Sequence, residues 1–305
     1  MSSYFDKKEL FSGPNVTQYG NHMVMTNVIK TPKTKYVNID TKFRDEYNSN
    51  VTTDYNITLP ERITNVHNIS LTNIEIPNTF YNISEAIGNN AMKITSSTFT
   101  GILVVRDGNY NQTTLRTELN ARASALASPF TNLIFDASFN KITMTPTSGT
   151  FAVDFGVDST GAFAKYNFKT RLGWLMGFRN QTYTGITSST KLTSESMYSL
   201  TGPRYLYLVV DEFTSNGNQK SFVAPLPSSV IAKHILARIT LDGANYPFMS
   251  VIPATCSNGL LLSDVRSYTG TVDIQKLNVQ LINENGTQMN LNGADFSFCL
   301  KIEHE

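Results

Sequence analysis

Charged residues are scarce in this chain of 305 residues, which has 25 Lys and Arg, 24 Asp and Glu, and a formal net charge of +1. The charged fraction of 16% lies below the quarter or so that is usual for soluble domains. Such a balanced chain creates no long-range field that would attract a polyanion. We therefore predict no nucleic-acid partner.

Cysteines and long apolar runs are also lacking. The two cysteines, Cys256 and Cys299, are too few for a disulfide scaffold and favour a reducing compartment. The first 15 residues contain no apolar run of signal-peptide length, and no apolar run approaches the roughly 18 residues that span a bilayer. We therefore expect the chain to fold in the reducing cytoplasm of a cell.

Enzyme motifs are absent as well. We find no GxSxG elbow, Walker A loop, GxGxxG, HExxH, EF-hand loop or CxxC pair, and the four histidines are scattered. Asp211 and Glu212 could supply the two carboxylates of a glycosidase. Adjacent strand residues point to opposite faces, however, so a solvated strand end is the better interpretation. We predict no enzyme activity, no catalytic residue, no cofactor and no metal.

Alternating apolar and polar residues are what the sequence does contain. This period of two recurs in short segments typical of half-buried strands, and one of them, around Tyr55, is predicted to stop at Pro60. The segment RYLYLVVDEF (204–213) is apolar on both faces, which predicts a central strand. The parity of the apolar positions changes between Leu71 and Ile74, which predicts a β-bulge or a bend near Thr72 and Asn73.

Helical spacing occurs in two places. Leu115, Leu119, Ala123 and Leu126 share one face of a predicted helix that Asn111, Thr113 or Thr114 could cap. The second place is KTRLGWLMGFRNQTYTG (169–185), which holds the single Trp of the chain. Ten or more strands with two short helices predict an all-β sandwich with helices inserted.

The residues of the second helix are predicted to serve packing. The predicted packing residues are Leu172, Gly173, Trp174, Leu175, Gly177 and Phe178. Glycines cost a helix stability, so their presence indicates close neighbours or a chain reversal.

Residues 1–34 show no steady period of apolar positions, which predicts an extended N-terminal arm. Residues 35–305 are predicted to form the β-sandwich region, with a possible lobe seam near 165–200. The end of the arm and the segment after it are basic. The predicted partner contacts are Lys30, Lys33, Lys35, Lys42 and Arg44. The segment from Lys30 to Arg44 contains only one acid, Asp40. A solvated strand and turn is the alternative interpretation of this segment.

Several segments, in this order, resemble a family of jelly-roll minor capsid proteins of nucleocytoplasmic large DNA viruses, the giant viruses. The segments are YVNIDTKFRDEY (36–47), DYNITLP (54–60), NISLTNIEIPNTFYNIS (68–84), GNY with its helix (108–127), RLGWLMGFR (171–179), RYLYLVVDEF (204–213), HILARIT (234–240), TVDIQKLNVQLINENG (271–286) and DFSFCLKIE (295–303). The likeness spans residue 36 to the C-terminus. It implies a jelly-roll-type β-sandwich, single or double, without catalytic activity. It also implies that the Trp174 helix closes a sandwich edge or an inter-lobe seam.

The resemblance further implies a place in the capsid shell of a virion. A minor capsid (cement) protein binds major capsid protein capsomers and other minor capsid proteins, and the inner membrane side of the shell is a further contact. A penton (vertex) protein is the nearest alternative, and it would self-associate. A glycan- or receptor-binding module that uses Tyr205, Tyr207 and Tyr246 is an alternative from another class.

Overall fold

The structure is a computed structural model that describes residues 13–17, 20–24, 31–46, 51–126, 133–163, 168–214, 222 and 234–305. Antiparallel strands dominate it. The first nine are β1 (Gly13–Thr17), β2 (Gly20–Val24), β3 (Lys33–Asp40), β4 (Asp54–Pro77), β5 (Ala91–Ser96), β6 (Thr100–Val104), β7 (Leu133–Ser138), β8 (Lys141–Pro146) and β9 (Phe151–Asp154). The others are β10 (Thr182–Ile186), β11 (Leu192–Thr193), β12 (Tyr205–Asp211), β13 (Ile235–Thr240), β14 (Val251–Thr255), β15 (Leu261–Ser263), β16 (Arg266–Asn283) and β17 (Ser297–His304). Two helices are inserted, α1 (Gln112–Ala125) and α2 (Leu172–Leu175), and short 3-10 turns cover Thr41–Phe43 and Phe168–Thr170.

Strand pairing brings β3 beside β17, close to the C-terminus. An eight-stranded antiparallel sheet has the order β15–β13–β12–β16–β4–β17–β3, and β14 also pairs with β4. The middle of the chain forms a four-stranded sheet, β10–β9–β5–β6, and a three-stranded sheet, β11–β8–β7. The predicted all-β fold with short inserted helices is confirmed.

Buried side chains form two main clusters. The first core lies on the eight-stranded sheet and is built from Ile, Leu, Val and aromatic residues between Ile39 and Phe80 and between Leu206 and Ile302. The second core lies among the two smaller sheets, α1 and α2, and runs from Ile83 to Ile186. The chain therefore leaves the first core after β4 and returns to it at β12. The predicted boundary at residue 35 and the seam near 165–200 stay predictions.

The long strand β4 shows both a confirmed and a corrected prediction. Cys299 of β17 pairs with Asn73 and Leu300 pairs with Leu71, so Thr72 is the extra residue of a bulge, as the change of parity predicts. The strand does not end at Pro60, however. Pro60 falls where the register with β16 shifts, between Thr58 and Ile63, and a bulge tolerates a residue that cannot donate to the ladder.

Helix α1 begins with a complete capping box. Asn111 accepts a hydrogen bond from the Thr114 backbone N–H, and the Thr114 hydroxyl accepts one from the Asn111 backbone N–H. Its buried face consists of Leu115, Leu119 and Ala123, as the spacing predicts, whereas Leu126 follows the helix as its C-cap and is only partly buried against the second core.

Strand β12 lies between β13 and β16, and its residues from Leu206 to Val210 are buried. Both faces of this strand are therefore covered, which confirms the prediction for RYLYLVVDEF.

Within the predicted arm, β1 and β2 form an antiparallel pair in which Gly13 lies opposite Val24 and Thr17 lies opposite Gly20. The periodicity gave no signal for this pair. Lys30 and the rest of the arm before residue 31 lie outside the described residues.

Candidate interaction surfaces

Residues 169–185, called the Trp174 segment below, include α2 and pack against the second core. Leu172 and Phe178 are completely buried, and the Phe178 ring stacks on Phe155 at 4.9 Å between centroids. A Cβ atom on Gly173 would lie 2.3 Å from the Phe155 ring, so only glycine fits there. Gly177 has a φ of +94°, and a Cβ on it would lie 2.2 Å from the Ser196 carbonyl oxygen. The glycines thus permit close approach and a reversal of the chain.

Trp174 itself lies at the margin of this core, where it is half-buried, and the neighbouring Leu175 packs partly against the core. The Arg179 guanidinium carbon stands 4.1 Å from the centroid of the Trp174 ring, and Phe168 contacts the ring edge-to-face at 5.7 Å. The Nη1 of Arg179 donates to the Trp174 and Phe178 carbonyl oxygens. These bonds fix the arginine over the ring.

Strand β3 forms one edge of the eight-stranded sheet. All eight of its residues pair with β17, and no strand in the described ranges pairs with its outer edge. An exposed edge carries backbone donors and acceptors that can pair with another chain. Tyr36 on β3 is 66% exposed, and Phe43 just after it is 76% exposed. A groove of about 480 Å³, lined largely by apolar atoms of Ile57, Leu59 and Ile63, runs beside this edge.

The predicted basic contacts occupy different environments. Lys33 and Lys42 are exposed, and Lys35 forms an ion pair with Glu61 across the groove. Arg44 is buried and pairs with Asp295 at 3.3 Å, and its Nη1 also donates to the Thr41 carbonyl oxygen. Arg44 therefore fastens the end of β3 to the chain before β17, so it belongs to the fold rather than to an exposed contact.

Asp211 and Glu212 at the end of β12 do not form a solvated strand end, which corrects that prediction. Glu212 is 5% exposed, and its Oε2 accepts a hydrogen bond of 2.8 Å from Arg266 Nη1. Arg266 also donates to the backbone carbonyl oxygens of Val210 and His234, and His234 Nε2 lies 3.8 Å from Asp211 Oδ2.

Possible metal ligands of Asp211, Glu212 and His234 come within 4.8 Å of one another. The Arg266 cation already pairs with Glu212 at 2.8 Å and offsets its charge, however. The charges are thus used within the fold, and the arrangement suits a buried structural ion pair better than hydrolysis or metal binding.

The tyrosines predicted for glycan contact do not present one exposed surface. Tyr207 is 8% exposed, whereas Tyr205 and Tyr246 are half-buried. The Tyr205 ring packs edge-to-face on Tyr207 and lies 4.2 Å from the Arg238 guanidinium carbon. Two of the three rings are therefore engaged with each other, and the glycan-binding alternative stays an untested prediction.

A second cleft was not anticipated from the sequence. It has a volume of about 460 Å³ and lies between the Trp174 segment and the loops before β12 and after β16. Its cations are Lys169, Arg171, Arg179 and Arg204. Three of these four residues are close in sequence to the single Trp, which is the signal that could have indicated the cleft.

No helix in the described ranges is long and apolar enough to cross a membrane.

Comparisons with known proteins found a likeness among solved structures. No family model matches the chain, and no curated protein matches it at a significant level. Among solved structures, the selenomethionine-labelled crystal structure of the mavirus penton protein aligns with a TM-score of 0.44 at 11% sequence identity. The alignment covers 90% of this chain and 100% of the penton chain.

Proposed function

We propose that this chain is a non-enzymatic structural component of a large icosahedral DNA virus capsid. In this role it is a minor capsid (cement) protein that binds major capsid protein capsomers and other minor capsid proteins. The observation that carries the proposal is the exposed edge of β3 with its adjoining apolar groove. The order of the sequence segments that resemble the minor capsid family supports the same role.

The β3 edge has the features of a site for strand addition. Backbone groups supply the binding energy when an extended segment pairs with a sheet edge, and side-chain pockets supply specificity. Here Tyr36 and Phe43 provide exposed apolar area, and the groove lined by Ile57 and Leu59 can take apolar side chains. Lys33 deters indiscriminate pairing at the edge and favours a partner segment with acidic residues.

Charged residues at two further sites are engaged in ion pairs within the fold. Glu212, the buried carboxylate at the end of β12, is held by Arg266. A further cleft of about 760 Å³ has Arg44 as its charged lining residue, and Arg44 is paired with Asp295.

The edge proposal is tested by mixing the purified chain with purified capsomers of the major coat protein and measuring binding by analytical ultracentrifugation. We expect the double variant Tyr36→Asp with Phe43→Asp to bind at least about tenfold more weakly, because it places charge on the apolar contact. Phe139→Asp is the matched control, since Phe139 is 95% exposed in the turn between β7 and β8.

Unchanged affinity of the double variant would show that the edge is not the interface. If the unaltered chain fails to bind capsomers or particles, the capsid role itself is contradicted. Fivefold self-association of the purified chain would instead indicate a penton.

A further inference from the structure

Unpaired positive charge gathers in the cleft beside Trp174. The chain contains ten arginines, and seven of them lie within 4.0 Å of a carboxylate. The three without such a partner in the described ranges are Arg171, Arg179 and Arg238, and the first two line this cleft. Lys169 joins them, also without a carboxylate at that distance among the described residues. The cleft therefore contains cations that are available to bind an anionic group of another molecule.

Arg171 contributes a buried charge to the cleft. It is 8% exposed, its Nη1 donates to the Gly88 carbonyl oxygen, and its Nε has no hydrogen-bond partner among the described residues. Burying a cation with no carboxylate within 4.0 Å among the described residues costs free energy. An anion bound in the cleft would offset part of that cost, because the interaction is strong where little water screens it.

Arg179 and Arg204 supply the donors for such an anion. Arg179 uses Nη1 on two carbonyl oxygens and packs its plane on Trp174, which leaves other N–H groups of the fork to bind a carboxylate. Arg204 stands on the opposite wall, 75% exposed, and pairs with Glu284 at 3.3 Å. Glu284 is the carboxylate among the cleft-lining residues, so the four cations outnumber it.

We propose that this cleft binds an acidic segment of a partner protein, whose carboxylates pair with Lys169, Arg179 and Arg204. This inference rests on the proposed function in one respect, namely that the partner is a neighbour in the capsid shell. The volume of about 460 Å³ suits a few side chains of an extended segment. Because Arg179 covers one face of Trp174, the ring is poorly available for stacking a nucleobase, and this favours a peptide over nucleic acid.

Because Trp174 is the single Trp of the chain, its fluorescence can report binding in the cleft. The purified full chain is titrated with a short peptide of alternating Glu and Ser, and binding is followed by Trp174 fluorescence and by isothermal titration calorimetry. We expect saturable binding that weakens with added salt. The same peptide with Gln in place of Glu should not bind.

Variants identify the cleft as the site. Arg179→Gln and Lys169→Gln should each weaken binding by about tenfold in the calorimetric measurement. The matched control is Arg116→Gln, which removes the same charge from an exposed ion pair with Asp136 on another surface. Equal loss in the control would reduce the effect to net charge and overturn the proposal.

Two other results would overturn it as well. One is equal binding of the Gln peptide or absence of binding by the Glu peptide, and the other is tighter binding of single-stranded DNA than of the Glu peptide. None of these results touches the capsid role, which is measured by incorporation into particles. Conversely, absence of the chain from particles, together with specific peptide binding, would remove the capsid neighbour and leave the acidic-segment site.

Discussion

Gly173 lies where the second core has no room for a methyl group. The Cβ of an alanine would approach the Phe155 ring to 2.3 Å. We expect Gly173→Ala to lower the free energy of unfolding by about 1 to 3 kcal/mol through overpacking, measured by urea denaturation. The matched control is Gly243→Ala, since a Cβ there meets nothing within 4 Å. Equal stability of Gly173→Ala and the control would contradict the packing described for α2.

The ion pair between Arg266 and Glu212 is the second feature to test at the scale of residues. Both side chains are at least nine-tenths buried, so Glu212→Gln leaves a buried guanidinium without its counter-charge. We expect a loss of about 3 to 5 kcal/mol in the free energy of unfolding. The double variant Glu212→Leu with Arg266→Met should regain much of it, because it removes both charges. A single variant as stable as the unaltered chain would show that the pair does not hold β12 to β16.

At the scale of elements, the capping box of α1 offers a direct test. Asn111→Ala removes the acceptor for the Thr114 N–H and should destabilise the protein by about 1 kcal/mol in chemical denaturation. Asn111→Asp retains the acceptor and adds a favourable charge at the helix N-terminus, so its stability should stay close to that of the unaltered chain. Equal losses in both variants would mean that the cap is not what Asn111 contributes.

Local patterns explain which elements could be predicted from the sequence. The bulge at Thr72, the buried face of α1 and the buried strand β12 each follow from the spacing of apolar residues within one segment. The prediction that the strand ends at Pro60 was wrong because the register shift that accommodates this proline arises from pairing with β16, more than 200 residues away. A prediction from one segment cannot include the strand that pairs with it.

Charged contacts were the least predictable part of the candidate sites. Arg44 and Asp295 are 251 positions apart, and Glu212 and Arg266 are 54 apart, so neither ion pair leaves a local pattern. The cleft that contains Arg179 is lined by segments that are far apart in sequence, from Asn82 to Met289. Whether a cation is free or paired depends on such distant contacts, and only the folded structure provides them.

At the scale of the whole molecule, we expect the N-terminal arm to contribute to assembly into particles and not to the stability of the fold. Within the described residues, β1 and β2 pair with each other and not with the other sheets. We expect deletion of residues 1–30 to leave the melting temperature of the protein unchanged while it lowers incorporation into particles. Normal incorporation of the truncated chain would show that the arm is dispensable, and a large fall in melting temperature would show that the arm is part of the fold.

The proposed capsid role is tested most directly by quantitative mass spectrometry of purified particles of the virus that is proposed to encode this chain, expressed as copies of this chain per copy of the major coat protein. A cement protein repeated across the facets predicts hundreds of copies in each particle, well above the roughly 60 that five subunits at each of twelve vertices would give. About 60 copies would assign the chain to the vertices instead. Absence of the chain from the particles would contradict the capsid role altogether.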